Sequence, residues 1–421
     1  DFHMEQNGEL MQEEKMSTIS GCIMARNEEK LISGCICSLK PFVDEIIVID
    51  NGSTDQTRKI AESYGCVVYS SPDSDVDKGR ELYLRYAKME WILILDADER
   101  LDTAKVKMLK DALDNASPSV WQFRIPWFHY IGEGKFVETS TAARIVRNVK
   151  GIKYNNFSIH ASLTDSIKEM GGRSEKLHFP LHHFDVICGR RTVAKREKYR
   201  SKLLHTIEDY KINRENYGVL ENIYVQYLFL GVEYTAIGDY ATANKYYDIV
   251  IESKDSTCEM AKLYKAFSLY ESGEYKLSYD LAQDMFYRNS FRENVYYIIM
   301  EIEMKNGKFE KALKISNDVL MSYPQVAHVQ LNHGILLENT EPESALKCFW
   351  NAINLNPCIL DEFVYSKPVY PNIYSFQCPI TSSFTNIYHH LAQSMRKLER
   401  FEEAQYWEYK EHEKKNLRSE L

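Results

Sequence analysis

Apolar spacing divides the chain in two. Before Thr192, short runs rich in Ile, Val and Leu alternate with helical patterns; from there on, every apolar period is that of a helix. Ser17–Ala25, Glu45–Ile49, Cys66–Tyr69 and Trp91–Leu95 read as strands. Leu31, Ile32, Cys35 and Leu39 mark one intervening helix, Gln56–Tyr64 a second, and a third begins near Lys78–Arg80. Strands and helices alternating at this spacing predict a parallel sheet with right-handed crossovers. The carboxyl ends of the strands then share one cleft, where ligands of open α/β sheets collect.

Those ends are acidic. The first strand runs into Ala25-Arg26-Asn27-Glu28-Glu29, and the second into Asp50-Asn51-Gly52-Ser53-Thr54-Asp55, where Ser53 or Thr54 can cap the next helix. The fourth runs into Asp96-Ala97-Asp98-Glu99. Asp96 and Asp98 are two residues apart, so in an extended segment they point the same way and suit a hard divalent cation that also takes phosphate oxygens. Acids gathered on one rim repel each other unless a cation or a donor-rich ligand sits among them. No G-x-G-x-x-G follows the first strand and no G-x-x-x-x-G-K-[ST] occurs, which argues against dinucleotide oxidoreductases and P-loop NTPases.

The second half repeats. Gly238, Gly273 and Gly307 recur at an inter-helix turn, and Ala243, Ser278, Ala312 and Ala345 at a close helix crossing. Tyr227, Leu230, Gly231, Tyr234 and Tyr247 complete the spacing of a tetratricopeptide repeat, and Pro324 and Pro357 end two units. Residues 358–384, with Pro368, Pro371 and Pro379, read as a loop insertion before a further half-matching unit at Leu391–Tyr409 with Ala404 at its small position. The expected organisation is a polar terminus over 1–16, without order or foreign to the native chain, an α/β domain over 17–195, and a helical repeat domain over 196–421.

A net charge of −9 and a pI near 5.8 argue against general nucleic-acid binding. Nine cysteines without C-x-x-C pairs read as reduced thiols, with Cys35 and Cys37 pointing apart on one helix. With no apolar run near the roughly 20 residues of a membrane helix, a soluble cytoplasmic protein without membrane insertion is expected. Most of the 29 tyrosines fall in the repeats and read as packing.

Taken in order, Ala25-Arg26-Asn27-Glu28-Glu29, Val48 to Asp55 and Leu95-Asp96-Ala97-Asp98-Glu99 resemble the inverting glycosyltransferases of family 2, which have the Rossmann-like GT-A fold. The resemblance covers about 180 residues. It implies a UDP-hexose donor held through Mg²⁺ or Mn²⁺. Ala25, Asn27 and Glu28 would lie in the donor site, Asp50 on the uracil, Asp96 near the ribose and Asp98 on metal and diphosphate. Arg80, just before the Asp-x-Asp strand, would face the nucleotide or stand as a solvated helix-start cation.

The usual Glu-Asp pair some 90 to 100 residues further on is missing. Arg144-Ile145-Val146-Arg147, then Phe157-Ser158-Ile159-His160, resembles a subgroup containing cell-surface sugar transferases and the sublancin-type peptide glycosyltransferases. That subgroup often has Glu after the His; here Ala161 follows. His160 is therefore expected as a metal ligand or acceptor-site residue, and Glu138 as the base unless it only pairs with Arg144. His182, His183 and Asp185 are further candidates.

A repeat module fused to a sugar transferase favours a peptide acceptor, or a homodimer built through the repeats. The sublancin-type resemblance implies transfer to Cys, or to Ser, of a ribosomal bacteriocin peptide. A cell-surface polysaccharide or lipopolysaccharide acceptor is the alternative. A non-catalytic nucleotide-binding scaffold is the alternative of another class.

Overall fold

The computed structural model describes residues 16–71, 76–132, 134–155, 157, 161–189, 192–218, 221–365 and 386–417. Strands β1 (Ile19–Ala25), β2 (Glu45–Asp50), β3 (Val67–Ser70) and β4 (Trp91–Asp96) alternate with helices α1 (Ile32–Leu39), α2 (Thr57–Ser63) and α3 (Val76–Tyr86). All four strands are parallel, in the order β3-β2-β1-β4. Central β1 is buried along its whole length, as its unbroken small and apolar sequence requires of a strand covered on both faces.

Past β4 the sheet turns antiparallel. It takes in β5 (Glu99–Leu101), β6 (Val120–Gly132), β7 (Lys135–Arg147), β8 (Arg173–Lys176) and β9 (Leu181–His183), with α4 (Val106–Asp114) and α5 (Thr164–Glu169) between them. The order continues β4-β7-β6-β9-β5, and β8 pairs with β6. Ser53 and Thr54 do not cap α2: its N-cap residue is Gln56, which makes no side-chain cap bond, and the Asp55 carboxylate just before it accepts the Thr57 N–H at 2.9 Å.

The β6/β7 hairpin carries the rest of the molecule on its two faces. Trp127 and His129 face a cleft, while Phe128, Tyr130 and Phe136 pack among Ala327, Leu331, Phe349, Val364 and Ile387 of the helical half. Two residues of β6 oppose three of β7 both between Phe123↔Ile145 and Ile125↔Ala142 and between Ile125↔Ala142 and Trp127↔Thr139. These bulges break strict alternation. Arg144 lines the cleft, and Glu138, six residues earlier, stands opposite Phe128 on the other face.

Helix α6 (Val193–Ile212) runs through the expected domain boundary and is fixed to α7 (Tyr224–Ala236) by buried Arg196, which donates to Glu233 at 2.7 Å. Helix pairs follow: α7 with α8 (Tyr240–Ser253), α9 (Cys258–Glu271) with α10 (Tyr275–Tyr287), α11 (Arg292–Lys305) with α12 (Phe309–Ser322), and α13 (Ala327–Leu337) with α14 (Pro342–Leu355). The last described pair is α15 (Ile387–Lys397) with α16 (Phe401–Leu417). At Gly231 a Cβ would meet the Tyr247 ring at 2.4 Å, and at Gly334 the Phe349 ring at 2.6 Å. The repeat thus replaces bulk by glycine where paired helices touch. Of the expected insertion only two short turns, Pro357–Leu360 and Glu362–Tyr365, are described.

Polar bonds seal the junction between the halves. Tyr130 Oη donates to Asn356 Oδ1 at 2.7 Å and sits 2.8 Å from His182 Nδ1; His328 Nδ1 lies 3.2 Å from Glu138 Oε2, with its Nε2 2.8 Å from the Glu293 carbonyl. Burial alone would lower the His328 pKa from 6.5, but Glu138 and that carbonyl outweigh it and raise it. The pair's contribution is therefore full below pH 6.5 and is lost as pH rises through the folded value. Glu138→Ala should cost about 1–3 kcal/mol in urea unfolding at pH 6 and should flatten the fall in stability above that pH. Equal pH slopes in parent and variant would refute the pairing.

Candidate active site

At the β1 and β2 ends the chain is stitched by side chains. Ala25 pairs with Asp50 across the strands, and Asn27, in the left-handed region at φ 56°, accepts the Thr54 N–H at 2.8 Å while its own N–H donates to Ser53 Oγ at 3.0 Å. Asparagine tolerates that backbone conformation better than most residues. Asp50 accepts the Ser53 N–H at 3.0 Å and faces Arg58 at 4.0 Å. Glu28 is buried, and its carbonyl accepts the first N–H groups of α1; Glu28 and Asn51 line the cleft beside Met24 and Arg26.

The Asp-x-Asp segment is set by charge. Arg144 Nη2 donates to Asp96 Oδ2 at 2.7 Å and to Glu99 Oε1 at 2.6 Å, and Glu99 Oε2 accepts the Asp96 N–H at 2.9 Å. Arg80 approaches Asp96 from the other side at 3.8 Å. Burial disfavours the ionised Asp96, but Arg144 and Arg80 outweigh it and hold the carboxyl well below its usual range. For Glu99 burial prevails, Asp96 adds to it, and the pKa is pushed up to about 7 against the pull of Arg144.

Asp98 turns to another partner. Its carboxylate lies 3.7 Å from His183 Nε2, while His183 Nδ1 lies 3.7 Å from Asp185 and 2.9 Å from His129 Nδ1. Trp127 covers the group, its ring 4.2 Å from His129 and 5.0 Å from His183. Burial would lower the His183 pKa, but Asp185 and Asp98 outweigh it and raise it to about 9. Two buried carboxylates thus draw a positive charge between them.

A divalent ion fits that donor set. At 3.7 Å the Asp98 and His183 atoms are too far apart for a good hydrogen bond and near enough to share an ion. One imidazole nitrogen among oxygens suits Mn²⁺ better than Mg²⁺. The far ring nitrogen is held by His129 at 2.9 Å, and Asp185, 3.7 Å away, adds negative charge beside it. Among the described residues no three such side chains enclose an ion by themselves, so the remaining positions would fall to a ligand's phosphates and water.

A cavity of about 1400 Å³ opens over this cluster. Glu28, Arg80, Asp96, Asp98 and Arg144 line it together with His183 and Asp185. Glu138 is not brought there. It faces the helical half and pairs with His328 rather than Arg144, because of the bulge in β7. His160 lies outside the described residues. Sequence reading missed Arg144 and Glu99 as the partners of Asp96; Glu99 directly after Asp98 was the available signal, whereas Arg144 is brought in only by the β4–β7 pairing.

Residues 20–199 match the family model described as Glycosyl transferase family 2. They form a family 2 glycosyltransferase domain. Relatives of this glycosyltransferase domain include a TPR repeat-containing protein of Synechococcus elongatus, 31% identical over 153 residues, 36% of this chain and 37% of its own. The lipopolysaccharide core biosynthesis glycosyltransferase LpsC of Rhizobium meliloti is 27% identical over 187 residues, 43% of this chain and 68% of its own. The SPbeta prophage-derived glycosyltransferase SunS of Bacillus subtilis is 37% identical over 87 residues, 19% of this chain and 20% of its own. The chain spans about a third of the length of most curated relatives it matches.

Arg144→Met should leave Glu99, which is fully buried, without its cation. Breaking a buried pair from one side costs about 3–5 kcal/mol. Urea unfolding should show a loss of that size, reduced in the Arg144→Met/Glu99→Gln double variant. Additive losses would show that the two do not act as a pair.

Proposed function

We propose that this chain is an inverting transferase that moves a hexose from a UDP-sugar to a Cys or Ser side chain of a ribosomal peptide, a bacteriocin in the first instance. The observation that carries the reading is the buried Asp98–His183–Asp185 cluster at the carboxyl end of the parallel sheet, opening into a cavity whose far wall is the helical half. The family 2 match supports a sugar donor, and the SunS match, with the sublancin-type motifs, supports a peptide acceptor.

In this reading Ala25, Asn27, Glu28 and Asp50 form the nucleoside end of the site, with Asp96 at the ribose and Arg80 beside it. Asp98 and His183 would hold Mn²⁺ or Mg²⁺, which stabilises negative charge developing on the diphosphate as the glycosidic bond breaks. Arg144 keeps Asp96 ionised and aimed, and Trp127 excludes water from His183. A thiol acceptor needs little help: with a pKa near 8.5, a few per cent is already thiolate at neutral pH, so a strong base is not required. That agrees with the position of Glu138, which is tied to His328 and away from the cavity.

A saccharide acceptor is the second reading, favoured by the LpsC match, which extends over 68% of that protein.

Calorimetry with UDP and Mn²⁺ tests the site. The parent should bind, Asp98→Ala and His183→Ala should each lose at least about tenfold in affinity, and Glu138→Ala should retain it. No binding by the parent would sink the transferase reading. Incubation with UDP-hexose should add one hexose to a Cys-containing peptide, read by mass spectrometry; sugar appearing only on saccharides would favour the second reading.

A further inference from the structure

The cavity is larger than a donor needs. Pockets for small ligands occupy roughly 300–1,000 Å³, and this one holds about 1400 Å³. Beyond the Asp98 cluster its wall passes to α6, α7 and α9, where Tyr199, Tyr224, Phe229 and Tyr264 line one side. On α6, Lys195, Lys198 and Lys202 line it too. Their spacing of three and four residues puts them in one row on a helix face, about 10 Å long. Buried Arg196 on the opposite side locks that orientation through Glu233.

The row is cationic in a chain whose net charge is −9. Lys168 and Arg214 extend it around the same cavity. Acidic groups on this wall are fewer, and two are engaged locally: Asp255 accepts the Thr257 N–H at 2.9 Å and the Asn222 amide at 2.5 Å, and Asp165 accepts from Asn155 at 3.3 Å. Glu221 is the third. Separate lysines strung along a helix match separate carboxylates along an extended chain, in which about three residues cover the same length. A single phosphate would call for convergent donors instead. Tyr224, Phe229 and Tyr264 of α7 and α9 line the same cavity and offer faces for the side chains that alternate with the acidic ones.

We propose that the α6 row is an acceptor subsite that selects a peptide with acidic residues flanking the side chain to be modified. The proposal rests on the transferase reading above and deepens it by naming the acceptor's chemistry. The peptide lies between the two domains, its reactive side chain toward Asp98 and His183 and its acidic flank along Lys195, Lys198 and Lys202. No such selection arises if the cavity admits only the donor.

Three fluorescent peptides of one length test it, each with a central Cys flanked by Glu, Gln or Lys, and anisotropy measured with UDP and Mn²⁺ present. The Glu peptide should bind the parent about tenfold tighter than the Lys peptide at low salt, with the gap closing as salt is raised. The K195Q/K198Q/K202Q variant should lose that preference, and K195E/K198E/K202E should reverse it, with thermal melting confirming that both are folded. Equal binding of the three peptides by a parent that binds UDP and Mn²⁺ would overturn the acidic subsite while leaving the transferase intact. A preference unchanged in both triple variants would overturn it as well. A parent that binds neither UDP nor peptide fails at the earlier reading.

Discussion

The constraint on which the rest depends is charge at the end of β4. Asp96, Asp98 and Glu99 come within four residues of one another, Asp185 joins them from the β9 side, and Asp98, Glu99 and Asp185 are buried. Carboxylates in a poorly solvated site repel one another and resist ionisation unless cations share it. Each acid is therefore matched to a base from another part of the chain. Arg144 from β7 spans Asp96 and Glu99, Arg80 from α3 adds to Asp96, and His183 from β9 stands between Asp98 and Asp185. The parallel half supplies the acids, and the antiparallel extension supplies two of the three counter-charges. That is a physical reason for the sheet to continue past β4.

The same extension ties the site to the helical half. Strands β6, β7 and β9 present cleft residues on one face and packing residues on the other. His183 belongs to the charge cluster, and its neighbour His182 meets Tyr130, which is bonded to Asn356 in the helical half. Glu138 and His328 make a second bond across the junction, and the turn after β6 makes a third, from the Gly134 N–H to the Val364 carbonyl. The strands that hold Arg144 and His183 are thus clamped from behind by helices, and the repeats serve as scaffold for the site as well as wall of the cavity.

How much of this was legible in the sequence follows from which interactions are local. The parallel strands, their crossovers, the acidic ends and the repeat glycines all follow from short-range period and turn chemistry, and they stand where those rules put them. Arg144 and His183 could be named as motif residues, but their partners are set by pairings between β4 and β7 and between β5 and β9, which no local pattern encodes. Glu138 was misplaced by the same kind of cause. Simple alternation from cleft-lining Ala142 would point it into the cleft, and the extra β7 residue between Ala142 and Thr139 turns it out. Ser53 and Thr54 do not cap α2 because Asn27 engages both, again across strands.

The orientation of His183 narrows the chemistry of the site further. With Asp98 and Asp185 each 3.7 Å from a ring nitrogen and His129 2.9 Å from Nδ1, His183 holds a proton tightly. In the proposed reading a metal ion would take Nε2 only by replacing that proton, with His129 on Nδ1 keeping the ring aimed. The pairing of β6 with β9 sets His129 and Trp127 around that ring. In that reading only Asp98 and His183 would be left to hold the ion among the described residues, too small a set for tight binding by the protein alone. Affinity for the ion and affinity for a phosphate ligand would then be linked, each completing the site for the other.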